Sequence, residues 1–243
     1  MASTSEVGHA KNVANFQDLI EFVTAYGATY SPSKSSLKIA ALNAQHAAAA
    51  ASLNNVISKN TEYNNRVNER MIAFSILKPL STRLLNALEA TDASDETIKD
   101  AKTFNRKMQG KKTSSGQTPT DPNQPAPTTM STSQQSYDQL IQHLAGLNAV
   151  LAAEPSYTPN ENDLKVSTID AKIADLTAKN TAVANAYATI SNTRIERNEI
   201  LYSPQEGLVE TAGEVKKYVK SVFGATSPQF AQVKGIKFSN PKP

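Results

Sequence analysis

The side chains that could do chemistry are few, and their spacing limits what they could do. Histidine occurs three times, as His9, His46 and His143, and no two sit at a spacing that lets imidazoles share a metal. Glu6 and His9 match the Glu-x-x-His spacing of di-metal bundles, but such a site needs a second pair from a facing helix and further glutamates. This pair lies in a small, polar stretch at the N-terminus and reads as chance. With no cysteine in the chain, disulfides, thiol nucleophiles and thiolate metal sites are excluded. No Gly-rich phosphate loop, nucleophile elbow or zincin pattern is present. No catalytic, cofactor-binding or metal-binding residue is therefore assigned, no cofactor is expected, and the expected role is non-enzymatic.

One polar set recurs. Asn65, Glu69 and Arg70 return as Asn192, Glu196 and Arg197, 127 residues later. A carboxylate beside a guanidinium at two matching places suits either two anion or ligand sites or two polar pairs that hold helix register. The register reading is preferred, because seam polar residues serve that purpose in coiled coils. His46 is read in the same way, as a packed polar seam residue. Basic residues gather at Arg106, Lys107, Lys111 and Lys112, and again at Lys216, Lys217, Lys220, Lys234 and Lys237. They lack interleaved aromatics and any docking motif, so they read as a solvated face. Net charge +3 and a pI near 8.9 are too mild to imply a nucleic-acid partner.

The elements that must position these residues form a repeat. Tyr30, Pro32, Leu37 and Lys38 align with Tyr157, Pro159, Leu164 and Lys165, and the register holds through Ala44/Ala171, Ala51/Ala178 and Val56/Val183 to the Asn, Glu, Arg set. Upstream, Phe16, Leu19 and Ile20 align with Tyr137, Leu140 and Ile141. Each tract, Leu37 to Phe74 and Leu164 to Leu201, predicts one long helix free of Pro and Gly, about 38 residues or roughly 57 Å. In the first, a heptad-like seam runs Leu42, His46, Ala49, Leu53, Val56, Asn60, Tyr63, Val67, Arg70 and Phe74. In the second it runs Ile169, Ile173, Leu176, Asn180, Val183, Tyr187, Ile190, Arg194, Arg197 and Leu201.

Shorter amphipathic helices are expected over Val13 to Tyr26 and Tyr137 to Leu151, joined to the long ones by Tyr-x-Pro turns so that each half starts as a helical hairpin. Further helices follow: one carrying Leu80, Leu84, Leu85 and Leu88, then Glu96 to Met108 closed by Gly110, and Gly207 to Val222. Met1 to Asn12 is expected to fray. The predicted fold is all-α, an elongated bundle of two repeated halves, residues 1–112 and 136–243, sharing one core or holding two. Residues 113–135, rich in Pro, Ser, Thr and Gln, read as a linker without a core.

The first long tract carries the strongest peculiarity. From Ile39 to Ser58 it contains no Asp, Glu, Lys or Arg, and Ala fills positions 40, 41, 44 and 47 to 51. A helix with no polar face is normally buried on all sides, whereas alanine is also simply a strong helix former on a solvated surface. Ala40, Ala41, Ala44, Ala47, Ala48 and Ala51 are the candidate self-association residues. The amides along the tract oppose membrane insertion, and neither a signal peptide nor an 18-residue apolar run is seen. A cytoplasmic location is expected, with signal-less export as the alternative.

The closing stretch Phe223-Gly-Ala-Thr-Ser-Pro-Gln-Phe-Ala-Gln-Val-Lys-Gly-Ile-Lys-Phe238, taken with the repeated halves, resembles uncharacterised duplicated helical-bundle proteins of Bacteroidota. The resemblance implies a fold and an origin, and no activity or functional residue. The function expected is that of a structural protein that self-associates into a homo-oligomer, whether ring, tube or filament. The alternatives are an adaptor that binds a protein or nucleic acid through the basic ends, and a membrane-active bundle.

Overall fold

The computed structural model describes residues 7–110 and 135–240. The linker assigned to 113–135 therefore lies outside the described residues except for Gln135, as does Glu6 of the Glu-x-x-His pair. Among the described residues the chain is all-α. Its helices are α1 Val7–Ala25, α2 Ile39–Ser75, α3 Leu77–Glu89, α4 Asp95–Gln109, α5 Tyr137–Ala153, α6 Val166–Tyr202, α7 Leu208–Phe223 and α8 Pro228–Lys234.

The long helices α2 and α6 have 37 residues each. Every position of the α2 seam from Leu42 to Phe74 is buried or half-buried, and in α6 the one exposed seam residue is Tyr187. Both starts are set in the same way. The Tyr30 hydroxyl donates to the Leu37 carbonyl at 2.8 Å, and the Tyr157 hydroxyl to the Leu164 carbonyl at 2.9 Å. A buried phenol thus ties each turn to the residue two places before its helix. Caps behave as the sequence demands: Ser94, Ser136 and Ser227 accept from Thr97, Gln139 and Phe230 backbone N–H groups. Gly110 closes α4 at φ 71°. Pro79 falls in the first turn of α3, where no intrahelical N–H is needed, and so does not bar helix there.

Two corrections emerge. α1 begins at Val7 rather than Val13, and His9 and Asn12, expected to fray, are 5% and 1% exposed. Their polar groups have partners inside the fold, which lets a polar segment become part of a core. The helical hairpin that opens each half is present, with Asp138 and Asn148 of α5 meeting Asn180 and Asp170 of α6, but it is not self-contained. The backbone neighbours of α1 are α7 and α8, and those of α5 are α3 and α4, in each case elements of the opposite sequence half.

The chain accordingly forms two compact units that cut across the halves 1–112 and 136–243. One comprises Met1–Tyr63 with Ala186–Pro243, and the other Asn64–Asn185. In the first, Phe16, Leu19, Ile20, Leu42 and Ala49 share a core with Leu201, Leu208, Val215 and Val219. In the second, Leu77, Leu84, Leu88 and Met108 share one with Leu144, Leu147, Ile169 and Leu176. The turn before each long helix pairs with the helix that follows the other long helix. Lys34 meets Glu214 at 2.6 Å in the first unit, and Asp163 meets Arg83 in the second with the charges exchanged.

Candidate functional site

The alanine tract has a buried side and an exposed one. Leu42, Ala49, Ser52 and Val56 are buried, Ala41 is half-buried, and Ala40, Ala44, Ala47, Ala48 and Ala51 are exposed together with Asn43, Asn54, Asn55 and Ser58. At 100° per residue, positions 40, 44, 47, 51, 54, 55 and 58 fall within about 100° of arc, so they make one continuous, uncharged face. Among the described residues, none encloses the outer side of the tract. At the matching positions α6 is different: Asp170, Lys172, Asp175 and Lys179 stand where α2 has Asn43, Gln45, Ala48 and Ser52. The matching stripe of α6, which includes Ser167, Ala171, Ala174, Ala178 and Asn185, is itself uncharged, and α6 differs in carrying Asp170 and Asp175 beside it.

Part of each candidate set comes together in the first unit. Ala48 and Ala51 of α2 and Glu196 and Arg197 of α6 line a cleft of about 370 Å³, with Ser52, Asn55, Thr193 and Ile200. Arg197 is 4% exposed, and its Nε and Nη2 donate to Asn198 Oδ1 at 3.1 and 3.0 Å. Ser52 and Thr193 turn their hydroxyl protons back to the Ala49 and Thr189 carbonyls, the usual way to bury a hydroxyl within a helix. Asn192 stays exposed outside the cleft lining.

The polar set of the second unit is arranged otherwise. Arg70 donates to Asn180 Oδ1 at 2.8 Å and lies 3.9 Å over the Tyr137 ring, while Asn180 donates to Asp138 at 2.7 Å. Glu69 pairs with Arg66 at 2.9 Å rather than with Arg70, on the exposed side with Asn65. The two sets therefore make different contacts. The position matching Asn180 is Leu53, which cannot accept a hydrogen bond.

This unit also holds a cleft of about 740 Å³, lined by Arg83, Asp92, Ser156, Tyr157, Asn160 and Glu161 among others. Arg83 and Asp163 both lie on the surface there. The ion pair holds the Asp163 carboxyl below the usual carboxylate range, chiefly through the hydrogen bond from Arg83. No grouping of His, Cys, Asp and Glu that could hold a metal ion occurs among the described residues. His9 Nδ1 is 2.7 Å from the Tyr202 hydroxyl, and His143 is buried.

Several of the basic residues are engaged within the chain. Lys216 is half-buried, donates to the Ile236 carbonyl and lies 5.0 Å from the Phe238 ring, and burial lowers its pKa. Lys220 lies 5.8 Å over Phe230, and Lys107 5.7 Å over Phe104. Aromatics do accompany the lysines, and they face the chain's own cations rather than an open groove.

Sequence reasoning missed a cluster at the start of α1. Asn12 and Asn15 of α1, with Lys216 of α7, hold the residues after α8, and the only signal for it was Asn12 beside apolar Val13 at the end of a stretch otherwise read as frayed. No helix among the described residues is long and apolar enough to cross a membrane. Comparison with family models, with curated proteins and with solved structures gives no match for this chain.

Proposed function

We propose that the chain is a non-enzymatic structural protein that self-associates through the uncharged outer face of α2. The observation that carries this reading is that Ala40, Ala44, Ala47 and Ala51 form a solvent-facing stripe inside a 20-residue span, 39–58, with no ionisable side chain other than His46. Bringing two such faces together desolvates no formal charge, and small side chains let helix backbones approach closely. The amides of Asn43, Asn54 and Asn55 would find partners across the contact. The α2 face of one copy meeting the α2 face of another makes an isologous contact that closes a dimer. Alanine buries little area, and a stable interface needs about 800 Å² from each partner. Exposed Ile57, Tyr187 and Ile195, all in the same unit, offer further apolar surface, at 58%, 60% and 54% exposure.

Light scattering on Ala47→Glu across a concentration series tests the reading. Position 47 lies in the middle of the stripe and away from the cleft that Ala48 lines. The expected result is loss of the assembled species with helicity unchanged by circular dichroism. An unaltered particle size, or a wild-type protein that is monomeric at every concentration, discards the proposal.

A further inference from the structure

The cleft of about 370 Å³ in the first unit has matching positions in the second, 127 residues away, and the two places are finished differently. In the second unit those positions carry Asp175 and Lys179 on α6, and Arg66 and Glu69 on α2. The four charges neutralise one another: Lys179 pairs with Asp175, and Arg66 with Glu69 at 2.9 Å. In the first unit Ala48, Ser52 and Thr193 stand where Asp175, Lys179 and Arg66 would, and only the carboxylate is kept, as Glu196. Three long charged side chains are exchanged for three short ones. The exchange opens space between α2 and α6, and it leaves Glu196 without an ion pair among the described residues.

What lines that space has a definite chemistry. The Ser52 and Thr193 hydroxyls are buried and donate to the Ala49 and Thr189 carbonyls, so the lone pairs of both oxygens remain to accept. With the Glu196 carboxylate they form an acceptor set, whose strongest complement is an ammonium group. Arg197 is buried, lines the same cleft and is oriented by Asn198 Oδ1, which accepts from two of its donors. A planar guanidinium suits a carboxylate. A simple anion would be repelled by Glu196 and a simple cation by Arg197, whereas a molecule carrying both charges satisfies both. It would supply the cation and the carboxylate that the second unit draws from its own side chains. Ala48, Ala51 and Ile200 add an apolar wall, and the volume lies at the small end of the range of about 300–1,000 Å³ for small-molecule sites.

We propose that this cleft is a binding site for a free α-amino acid with a small aliphatic side chain. Its ammonium group meets Glu196, Ser52 and Thr193, its carboxylate meets Arg197, and its side chain lies against Ile200 and the two alanines. The site belongs to the first unit alone, because the paired charges of the second leave nothing for a zwitterion to neutralise. Binding here does not depend on contact between α2 faces.

Equilibrium dialysis of the full chain against radiolabelled L-alanine, L-valine and L-leucine, up to about 10 mM to reach the weak affinities of small ligands, tests the assignment. Saturable binding of at least one is expected. Isobutylamine, which lacks the carboxylate, and isovalerate, which lacks the ammonium group, should fail to displace it. Glu196→Gln, at an exposed position, should weaken binding about tenfold. Ala48→Leu should abolish it by filling the cleft, with helicity and melting temperature kept, and Glu69→Gln, the matching change in the second unit, should leave it unaltered. The proposal is overturned if none of the three amino acids binds, if either analogue competes as well as unlabelled amino acid, or if Ala48→Leu binds at full strength. It also fails if Glu69→Gln weakens binding as much as Glu196→Gln does.

Discussion

At the scale of single residues, two tyrosines hold the starts of the long helices. Replacing Tyr157 by Phe removes the donor to the Leu164 carbonyl and leaves that buried acceptor unpaired, at a cost of about 1–3 kcal/mol. A chain of this length should lose roughly 2–4 °C of melting temperature per kcal/mol. The same burial, helped by the nearby Glu161 and Asp163 carboxylates, pushes the Tyr157 phenol up to about 12. Tyr30 is shifted upward too, by burial and then by Tyr218. An unfolded tyrosine loses its proton near about pH 10. Between that pH and about 12 the folded chain holds more protons than the unfolded one, so stability falls as pH rises. The contribution is intact below about pH 10 and gone above about 12. Urea midpoints measured from pH 9 to 12 should decline, and Tyr157→Phe should flatten that decline; an equal slope in both proteins would place the titration elsewhere.

At the scale of elements, Gly146 shows where packing overrides propensity. It lies within α5, where alanine would ordinarily add up to about 1 kcal/mol of helix stability. A Cβ at this position would stand 2.2 Å from Phe104 Cε1 of α4. Gly146→Ala should therefore destabilise the second unit by about 1–3 kcal/mol, and Phe104→Leu in the same chain should recover part of the loss, both read by chemical denaturation. A stabilised single variant would mean that the ring moves aside freely. The long helices were legible because a repeating apolar seam is a local, periodic signal, and nearly every seam residue of α2 and α6 is covered. The first two turns of α1 were not legible. His9 and Asn12 are polar, and what makes them core residues is Tyr202 and Ser239, about 190 and 227 positions away. No window along the chain contains that information. The candidate residues divide on the same line: Arg70 and Arg197 belong to a seam and are covered, whereas the partners they take depend on positions such as Asn180 and Leu53 that differ between the tracts.

At the scale of the whole molecule, the halves seen in the sequence are not the units seen in space. The matching residues 127 positions apart suggest which elements correspond, but they carry no information on which helices pack together. Each core takes helices from both halves, so neither half holds a complete core. Expressed separately, residues 1–112 and 136–243 should each melt earlier and less cooperatively than the intact chain, and an equimolar mixture should regain its helicity and melting temperature. Full-stability melting of either fragment alone, as a monomer, would show that a half can build its own core.

That composition also sets an order of events during synthesis. The unit Asn64–Asn185 is continuous and can close as soon as it clears the ribosome, whereas Met1–Tyr63 must wait for Ala186 and the residues beyond it. At about 5–20 residues per second, the intervening stretch of roughly 120 residues takes about 6–25 seconds to make. Throughout that interval the N-terminal segment, with Phe16, Leu19, Ile20 and the uncharged alanine tract, has no C-terminal helices to cover it. The first part of the chain to be made is the last to find its partners, and nascent copies on one messenger would meet one another before their own cores are complete.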